Sequence, residues 1–203
     1  LTDKEERYRR RYVDLIMNED AKKTAIARPK IIRAIQEYCD SLGFIEVETP
    51  VLQPIQGGAT ARPFVTHHNA LDMNFYLRIA TELPLKRLIV GGLEKVYEIG
   101  RLFRNEGMDA THNPEFTTVE LYQAFGNLRS MMELCETSFK RIAKNVFNGQ
   151  EEFEWNGHVI NVAKPFRTVA MVDLVKDVTG VDFNQITSFE EAREALYTQY
   201  LGN

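Results

Sequence analysis

VYEIGRLFR (residues 96–104) decides the fold, together with NEGMDATHNP (105–114) and FTTVELYQAF (116–125), which follow it. The first and third segments alternate between apolar and polar residues, which is the two-residue period of a half-buried β-strand. The middle segment is polar and contains glycine and proline, so it predicts the loop that joins the strands. The three segments together predict a long antiparallel hairpin.

Helical and strand patterns surround this hairpin without the regular alternation of a βαβ array. Apolar spacing predicts helices over 3–17, 31–42, 83–90, 128–147, 168–179 and 188–197, the last with Ser188 as N-cap, and shorter strands over 44–48, 64–68, 75–79 and 159–162. This order indicates an α+β fold in which an antiparallel β-sheet is flanked by helices.

Composition bounds the class of protein. The 203 residues suit one domain with a sizeable core, and a net charge of −4 argues against a polybasic nucleic-acid binder. No stretch reaches the ~20 apolar residues that span a bilayer, so no membrane partner is expected. Cys39 and Cys135 match no metal or redox spacing, which indicates reduced thiols in a cytosolic protein. Both lie at apolar positions of helical patterns, which favours a packing role.

One face of the second hairpin strand has an unusual composition. Phe116, Thr118, Glu120 and Tyr122 share a parity and therefore project from the same face. If Glu120 is buried, its carboxylate needs a partner or a cation. A pocket for a cationic group explains this set, and so does an amphipathic hairpin whose polar face meets water.

Three further residues adjoin this face. Arg104 ends the partner strand and offers a planar fork suited to phosphate or carboxylate. Glu106 and His112 lie in the connecting loop. These residues indicate a site for a ligand that is both aromatic and anionic.

Several motifs resemble those of a known enzyme family. FRNE (103–106) and HNPEFT (112–117) resemble motif 2 of class II aminoacyl-tRNA synthetases, and GFIEVETP (43–50) resembles their motif 1. GGATARPF (57–64), HHN (67–69), TEL (81–83) and ELY (120–122) are similar to lysyl-tRNA synthetase. The resemblance implies the class II synthetase catalytic-domain fold over residues 1–203, with motif 1 at about 28–52 and motif 2 at about 95–125. Motif 3 and the anticodon-binding OB-fold domain are not found in the chain.

The resemblance also implies a nucleotide site. Arg104 would be the catalytic residue and would hold both the ATP α-phosphate and the lysine carboxylate. Glu106 would recognise the adenine amino group, and Phe116 would stack on the ring. His112 and Asn113 would lie near the nucleotide, with His112 toward the outer phosphates.

A lysine site is implied in the same way. Glu82 and the backbone carbonyl of Gly58 would take the α-amino group, and Arg104 the carboxylate. Glu120 and Tyr122 would take the ε-ammonium. A carboxylate left without its ammonium is costly, so shorter or uncharged amino acids should be rejected.

The implied function is that of a lysine–tRNA ligase, an enzyme that makes lysyl-adenylate from L-lysine and ATP and transfers lysine to the 3′ end of tRNA(Lys). The family implies Mg²⁺, whose ligands would lie beyond the last residue, so no metal-binding residue is expected in this chain. It also implies a cytoplasmic homodimer that assembles through motif 1. The 203 residues alone are expected to turn over poorly or not at all.

Two other hypotheses remain open. One is a protein lysylase of the elongation factor P type, which charging assays with tRNA and with the protein acceptor would separate from the ligase. The other is a non-catalytic lysine-binding or dimerisation module that uses residues 31–50. A dimer without lysine affinity would favour the module.

Overall fold

The computed structural model describes residues 2–202, so Leu1 and Asn203, the two ends of the predicted domain, lie outside the described residues. The chain divides into two compact units, Leu1–Ala163 and Lys164–Asn203. The helices are α1 Lys4–Arg9, α2 Arg11–Met17, α3 Glu19–Ser41, α4 Glu82–Val90, α5 Leu128–Val146, α6 Met171–Thr179 and α7 Phe189–Leu196. The strands are β1 Ile45–Glu46, β2 Leu52–Gln53, β3 Val65–His68, β4 Met73–Leu77, β5 Lys95–Phe103, β6 Glu115–Gln123, β7 Glu152–Trp155 and β8 His158–Asn161.

The N-terminal helices differ from the sequence-based expectation. The single helix expected over 3–17 divides at Arg10, whose φ of −117° and ψ of 55° are not helical. The helix expected over 31–42 begins earlier, at Glu19, and contains Pro29. Residues 19–30 are mostly exposed, so no apolar stripe marks them as helical.

The hairpin is confirmed as β5 and β6, an antiparallel pair in which Val96 faces Tyr122 and Glu98 faces Glu120. The antiparallel sheet expected from the sequence has one parallel edge, because β1 joins β5 in parallel, with Ile45 beside Val96. A parallel pair requires a long connection, and β2, β3, β4 and α4 form that connection. In it, β4 pairs antiparallel with both β2 and β3.

The main core lies on one face of the hairpin, between β5 and the helices α3 and α5. Its buried members are Tyr38, Cys39, Phe44, Tyr97 and Leu134. The Tyr97 hydroxyl donates to Asp40 Oδ1 at 3.0 Å and lies 3.3 Å from Glu46 Oε2. The packing role expected for cysteine holds for Cys39, which is buried, and is wrong for Cys135, which is exposed because it faces away from this core.

The Lys164–Asn203 unit is helical. It contains α6, a 3₁₀ turn at Phe183–Gln185, α7 and a π-helical turn at Tyr197–Leu201. The predicted N-cap is confirmed, since Ser188 Oγ accepts from the Glu191 amide at 3.2 Å. Val181 is the buried centre of this unit, at 1% exposure.

Candidate functional site

A buried ion pair supports the face of the hairpin opposite the main core. Arg78 Nη1 donates to Glu98 Oε1, and Thr49 Oγ1 donates to Glu98 Oε2 at 2.6 Å. Arg78 also donates to the carbonyl oxygens of Thr49 and Arg101, each at 2.9 Å. Gly100 makes room for this pair, because a Cβ there would lie 2.3 Å from Arg78 Nη2. The fully hydrogen-bonded pair therefore fixes the segment that leads into α4 against β5.

Glu120 lies half-buried on this face, beside the start of α4. Its Oε1 accepts from the Thr81 amide at 3.3 Å, and its Oε2 accepts from the Tyr122 hydroxyl at 3.4 Å. Neither partner is positively charged, and both bonds are long. A partly desolvated carboxylate of this kind favours a cation as its ligand.

Tyr122 is suited to donate a hydrogen bond at neutral pH. Burial raises the pKa of Tyr122 to about 12, and the neighbouring carboxylates of Glu120 and Glu82 add to the shift. The phenol therefore stays protonated. It can donate to a carboxylate or line a cation pocket with its ring.

The first turn of α4 places Glu82 on the same side as Tyr122. Lys86, one turn later, lies with Nζ 2.7 Å from Glu82 Oε1 and 5.9 Å from the centre of the Tyr122 ring. Lys86 was not predicted as a site residue. It brings a positive charge beside the carboxylates of Glu82 and Glu120.

Gly58 lies against the start of α4. Its φ of +88° is in the left-handed region, and a Cβ there would lie 3.1 Å from Ala80 Cβ and 3.3 Å from Glu82 Cβ. The backbone of Gly58 can approach Glu82 because Gly58 has no side chain. Gly58, Glu82, Glu120 and Tyr122 are called the α4–β6 cluster below.

Arg104 and Phe116 lie where β5 and β6 meet the long loop. The Arg104 guanidinium carbon is 5.2 Å from the centre of the Phe116 ring, and Arg104 Nε donates to Ile79 O at 3.4 Å. A pocket of about 440 Å³ opens beside them, large enough for part of a nucleotide, and is lined by Arg104, Glu106, Gly107, Thr111, His112, Asn113 and Phe116.

All of the residues predicted for ATP line this pocket. Arg104, Glu106, His112, Asn113 and Phe116 are called the hairpin-loop cluster below. Arg104 also contacts the segment that leads into α4, because Ile79 O lies two residues before Thr81, whose amide donates to Glu120.

A turn centred on Asp109 shapes the loop. Asp109 Oδ1 accepts from the amides of Thr111 at 2.7 Å and His112 at 2.8 Å, and from the Thr111 hydroxyl at 2.9 Å. The His112 Nδ1 also lies 2.8 Å from the carboxylate. The Thr111 amide, the His112 side chain and the Thr111 hydroxyl together hold the pKa of Asp109 well below its usual range. The turn therefore keeps an ionised carboxylate against Nδ1 and leaves the other ring nitrogen of His112 available.

Glu106 connects the loop to the glycine-containing segment. Its Oε1 accepts from the Arg62 amide at 3.2 Å, and the Asn105 amide donates to Arg62 O at 2.7 Å. The segment 57–64 therefore contributes Gly58 to the α4–β6 cluster and contacts the hairpin-loop cluster through Arg62.

Sequence reasoning missed Arg78, Glu98, Lys86 and Asp109. A pattern signal existed for Glu98, a charged residue in phase with apolar Val96 and Leu102. Lys86 follows Glu82 at the spacing of a helical ion pair. The Arg78 partnership joins distant segments, so no local pattern reveals it.

The described part of the chain lacks two kinds of feature. Between residues 2 and 202, no group of three or more His, Cys, Asp or Glu side chains is arranged to hold a metal ion. No helix in that range is long and apolar enough to cross a membrane.

The chain is similar in sequence to known proteins. A family model described as tRNA synthetases class II (D, K and N) matches residues 3–194. A lysine–tRNA ligase of Clostridium novyi (strain NT) is 58% identical over 99% of this chain and 39% of its own length. One of Lactococcus lactis subsp. cremoris (strain MG1363) is 57% identical over 95% of this chain and 39% of its own length. The chain thus spans 39% of the length of these relatives.

Proposed function

Because the chain belongs to the family of class II tRNA synthetases (D, K and N), we propose that its site activates L-lysine with ATP as part of a lysine–tRNA ligase. The product, lysyl-adenylate, then supplies lysine to the 3′ end of tRNA(Lys). The similar proteins named lysine–tRNA ligase support this reaction. The observation that carries the choice of amino acid is the pair of carboxylates, Glu82 and Glu120, in the α4–β6 cluster.

Charge separates the three amino acids that the family description denotes by D, K and N. An aspartate side chain would bring a third carboxylate toward Glu82 and Glu120, which is repulsive. An asparagine side chain would leave the half-buried Glu120 without a cation. Lysine supplies two ammonium groups for two carboxylates, with the α-ammonium at Glu82 and the ε-ammonium at Glu120 and Tyr122. The Gly58 carbonyl would be a second acceptor for the α-ammonium.

Arg104 is the residue that acts on the reacting atoms. In adenylate formation, a lysine carboxylate oxygen attacks the ATP α-phosphorus, a new P–O bond forms, and pyrophosphate leaves. Arg104 contacts the segment before α4 through Ile79 O and presents a permanently charged fork. It would hold the lysine carboxylate and stabilise the negative charge that develops on the α-phosphoryl oxygens.

The hairpin-loop cluster would hold the nucleotide. The Phe116 ring offers a flat surface for adenine, with the adenine amino group at Glu106 and His112 and Asn113 beside the phosphates. The family implies Mg²⁺ at the phosphates. The described residues provide no cluster of three metal ligands to hold this ion.

We also propose a homodimer in the cytoplasm, where tRNA and free lysine meet, with motif 1 (28–52) at the interface. Exposed apolar side chains in and beside motif 1 support this surface: Ile45 at 49%, Leu52 at 45% and Ile55 at 70% exposure. Burying such residues between subunits would remove apolar area from water.

Adenylate analogues test both clusters together. A lysyl-adenylate analogue with a sulfamoyl group in place of the phosphoryl group is titrated calorimetrically against the chain, beside its aspartyl and asparaginyl counterparts. The lysyl compound is expected to bind at least tenfold more tightly than either, as for a site whose carboxylates need a cation. Glu120→Gln should remove this preference. Glu133→Gln, which alters an exposed ion pair on α5, should leave the preference for the lysyl compound unchanged. Equal affinity for all three analogues would contradict the proposal.

A further inference from the structure

Lys86 is a cation beside Glu82, one of the two carboxylates that the proposed function assigns to the amino acid. Its Nζ lies 2.7 Å from Glu82 Oε1 and 5.9 Å from the centre of the Tyr122 ring. The Tyr122 hydroxyl in turn donates to Glu120. A protein ammonium therefore lies among the acceptors proposed for the ligand's two ammonium groups.

The Glu82–Lys86 pair is adaptable rather than locked. The Lys86 side chain is 57% exposed and that of Glu82 is 35% exposed. Lys86 has a long flexible stem, so its ammonium can move into water without disturbing α4. By contrast, the buried Arg78–Glu98 pair, at 4% and 2% side-chain exposure, has no such freedom.

Resting on the proposed function, we propose that Lys86 is a resident counter-ion of the site: it holds Glu82 until the α-ammonium of the amino acid displaces it. The exchange breaks one ion pair at Glu82 and forms another. Lys86 thereby lowers the affinity for any ligand that needs Glu82. A ligand with no α-ammonium leaves the Glu82–Lys86 pair intact.

An ordinary ion pair between helical residues four apart would place Lys86 Nζ equally close to Glu82 without any role in ligand binding. The two explanations differ in their dependence on ligand chemistry. A purely helical pair affects the stability of α4 and every ligand alike. A resident counter-ion affects only ligands that carry an α-ammonium.

The test compares L-lysine with 6-aminohexanoate, which keeps the carboxylate and the ε-ammonium and lacks the α-ammonium. Both are titrated calorimetrically against the wild-type chain and Lys86→Met, which keeps an aliphatic stem. The control is Arg87→Met, which removes one positive charge from the neighbouring position of α4. We expect Lys86→Met to bind L-lysine about two- to threefold more tightly, as for release of an exposed ion pair. The affinity for 6-aminohexanoate should not change.

A second variant checks the role of Glu82. In a Glu82→Gln background, Lys86→Met should no longer alter the affinity for L-lysine, because the pair is already lost. Equal gains for both ligands, equal gains in Arg87→Met, or weaker lysine binding by Lys86→Met would each overturn the inference. Failure of the wild-type chain to bind either compound would instead contradict the proposed function, and the inference with it.

Discussion

The α4–β6 cluster and the hairpin-loop cluster both include residues of strand β6, yet different interactions hold them. The first rests on tertiary structure: Glu120 bonds the Thr81 amide, and the buried Arg78–Glu98 pair fixes the segment before α4. The second depends on a local turn, in which Asp109 accepts hydrogen bonds from Thr111 and His112 in an exposed loop, and on contacts of that loop with the backbone of Arg62.

This difference suits the first cluster to the rejection of wrong amino acids and the second to the accommodation of a nucleotide. A pocket held by buried charges keeps its carboxylates in place before a ligand arrives, so it can reject an amino acid of the wrong charge. A loop held by its own turn can close over a nucleotide with little effect on the fold. The amino-acid side should therefore respond to changes in the core, and the nucleotide side to changes in the loop.

Arg78→Met is the largest test of this comparison. It leaves Glu98 buried without its cation, which should lower the free energy of unfolding by about 3–5 kcal/mol, measured by urea titration. Arg101→Met is the matched control, because Arg101 forms an exposed pair with Glu115 at 3.2 Å. The control should cost less than about 1 kcal/mol. Equal losses in the two variants would show that the buried pair is not the support of the α4–β6 cluster.

Gly58→Ala tests the backbone contact with Glu82. The left-handed φ of +88° costs about 1 kcal/mol for alanine, and the new Cβ pushes on Ala80 and Glu82. We expect L-lysine affinity to fall about tenfold, as for a misplaced binding group. Gly92→Ala carries the same backbone strain at φ +97° with open space around it. It should lose similar stability and keep its lysine affinity; a loss of affinity there too would assign the effect to strain alone.

Asp109→Asn tests the loop turn and has the smallest effect. Because the pKa of Asp109 is lowered in the folded chain, the turn is fully stabilised above the ordinary carboxyl range, near pH 4. That stabilisation is lost as the pH falls through the lower folded value. Asp109→Asn should show the weakened turn already at pH 7, as faster amide exchange at Thr111 and His112. Asp72→Asn, at another exposed carboxylate, should leave those amides unchanged. Unaltered exchange in Asp109→Asn would contradict the turn.

The sequence alone predicted the hairpin and the residues of both clusters. The alternation over 96–104 and 116–125 indicates a half-buried sheet, and the family motifs supplied roles for Arg104, Phe116 and Glu120. Each of these features is encoded by residues that are close together in the sequence, so a local pattern can predict it.

Contacts between segments that are far apart in the sequence could not be predicted from local patterns. The parallel pairing of β1 with β5 and the pairing of Arg78 with Glu98 both join segments separated by other elements. The early start of α3 was missed for a different reason. The first half of this helix is mostly exposed, so no apolar periodicity indicates a helix there.

Titration of the chain with L-lysine, L-ornithine and L-aspartate tests the central claim most directly. Calorimetry should detect binding of L-lysine, weaker binding of the shorter L-ornithine and no binding of L-aspartate. The binding of L-lysine should be lost in Glu120→Gln. Binding of L-aspartate, or lysine binding that survives Glu120→Gln unchanged, would contradict the assignment of the α4–β6 cluster as a lysine site.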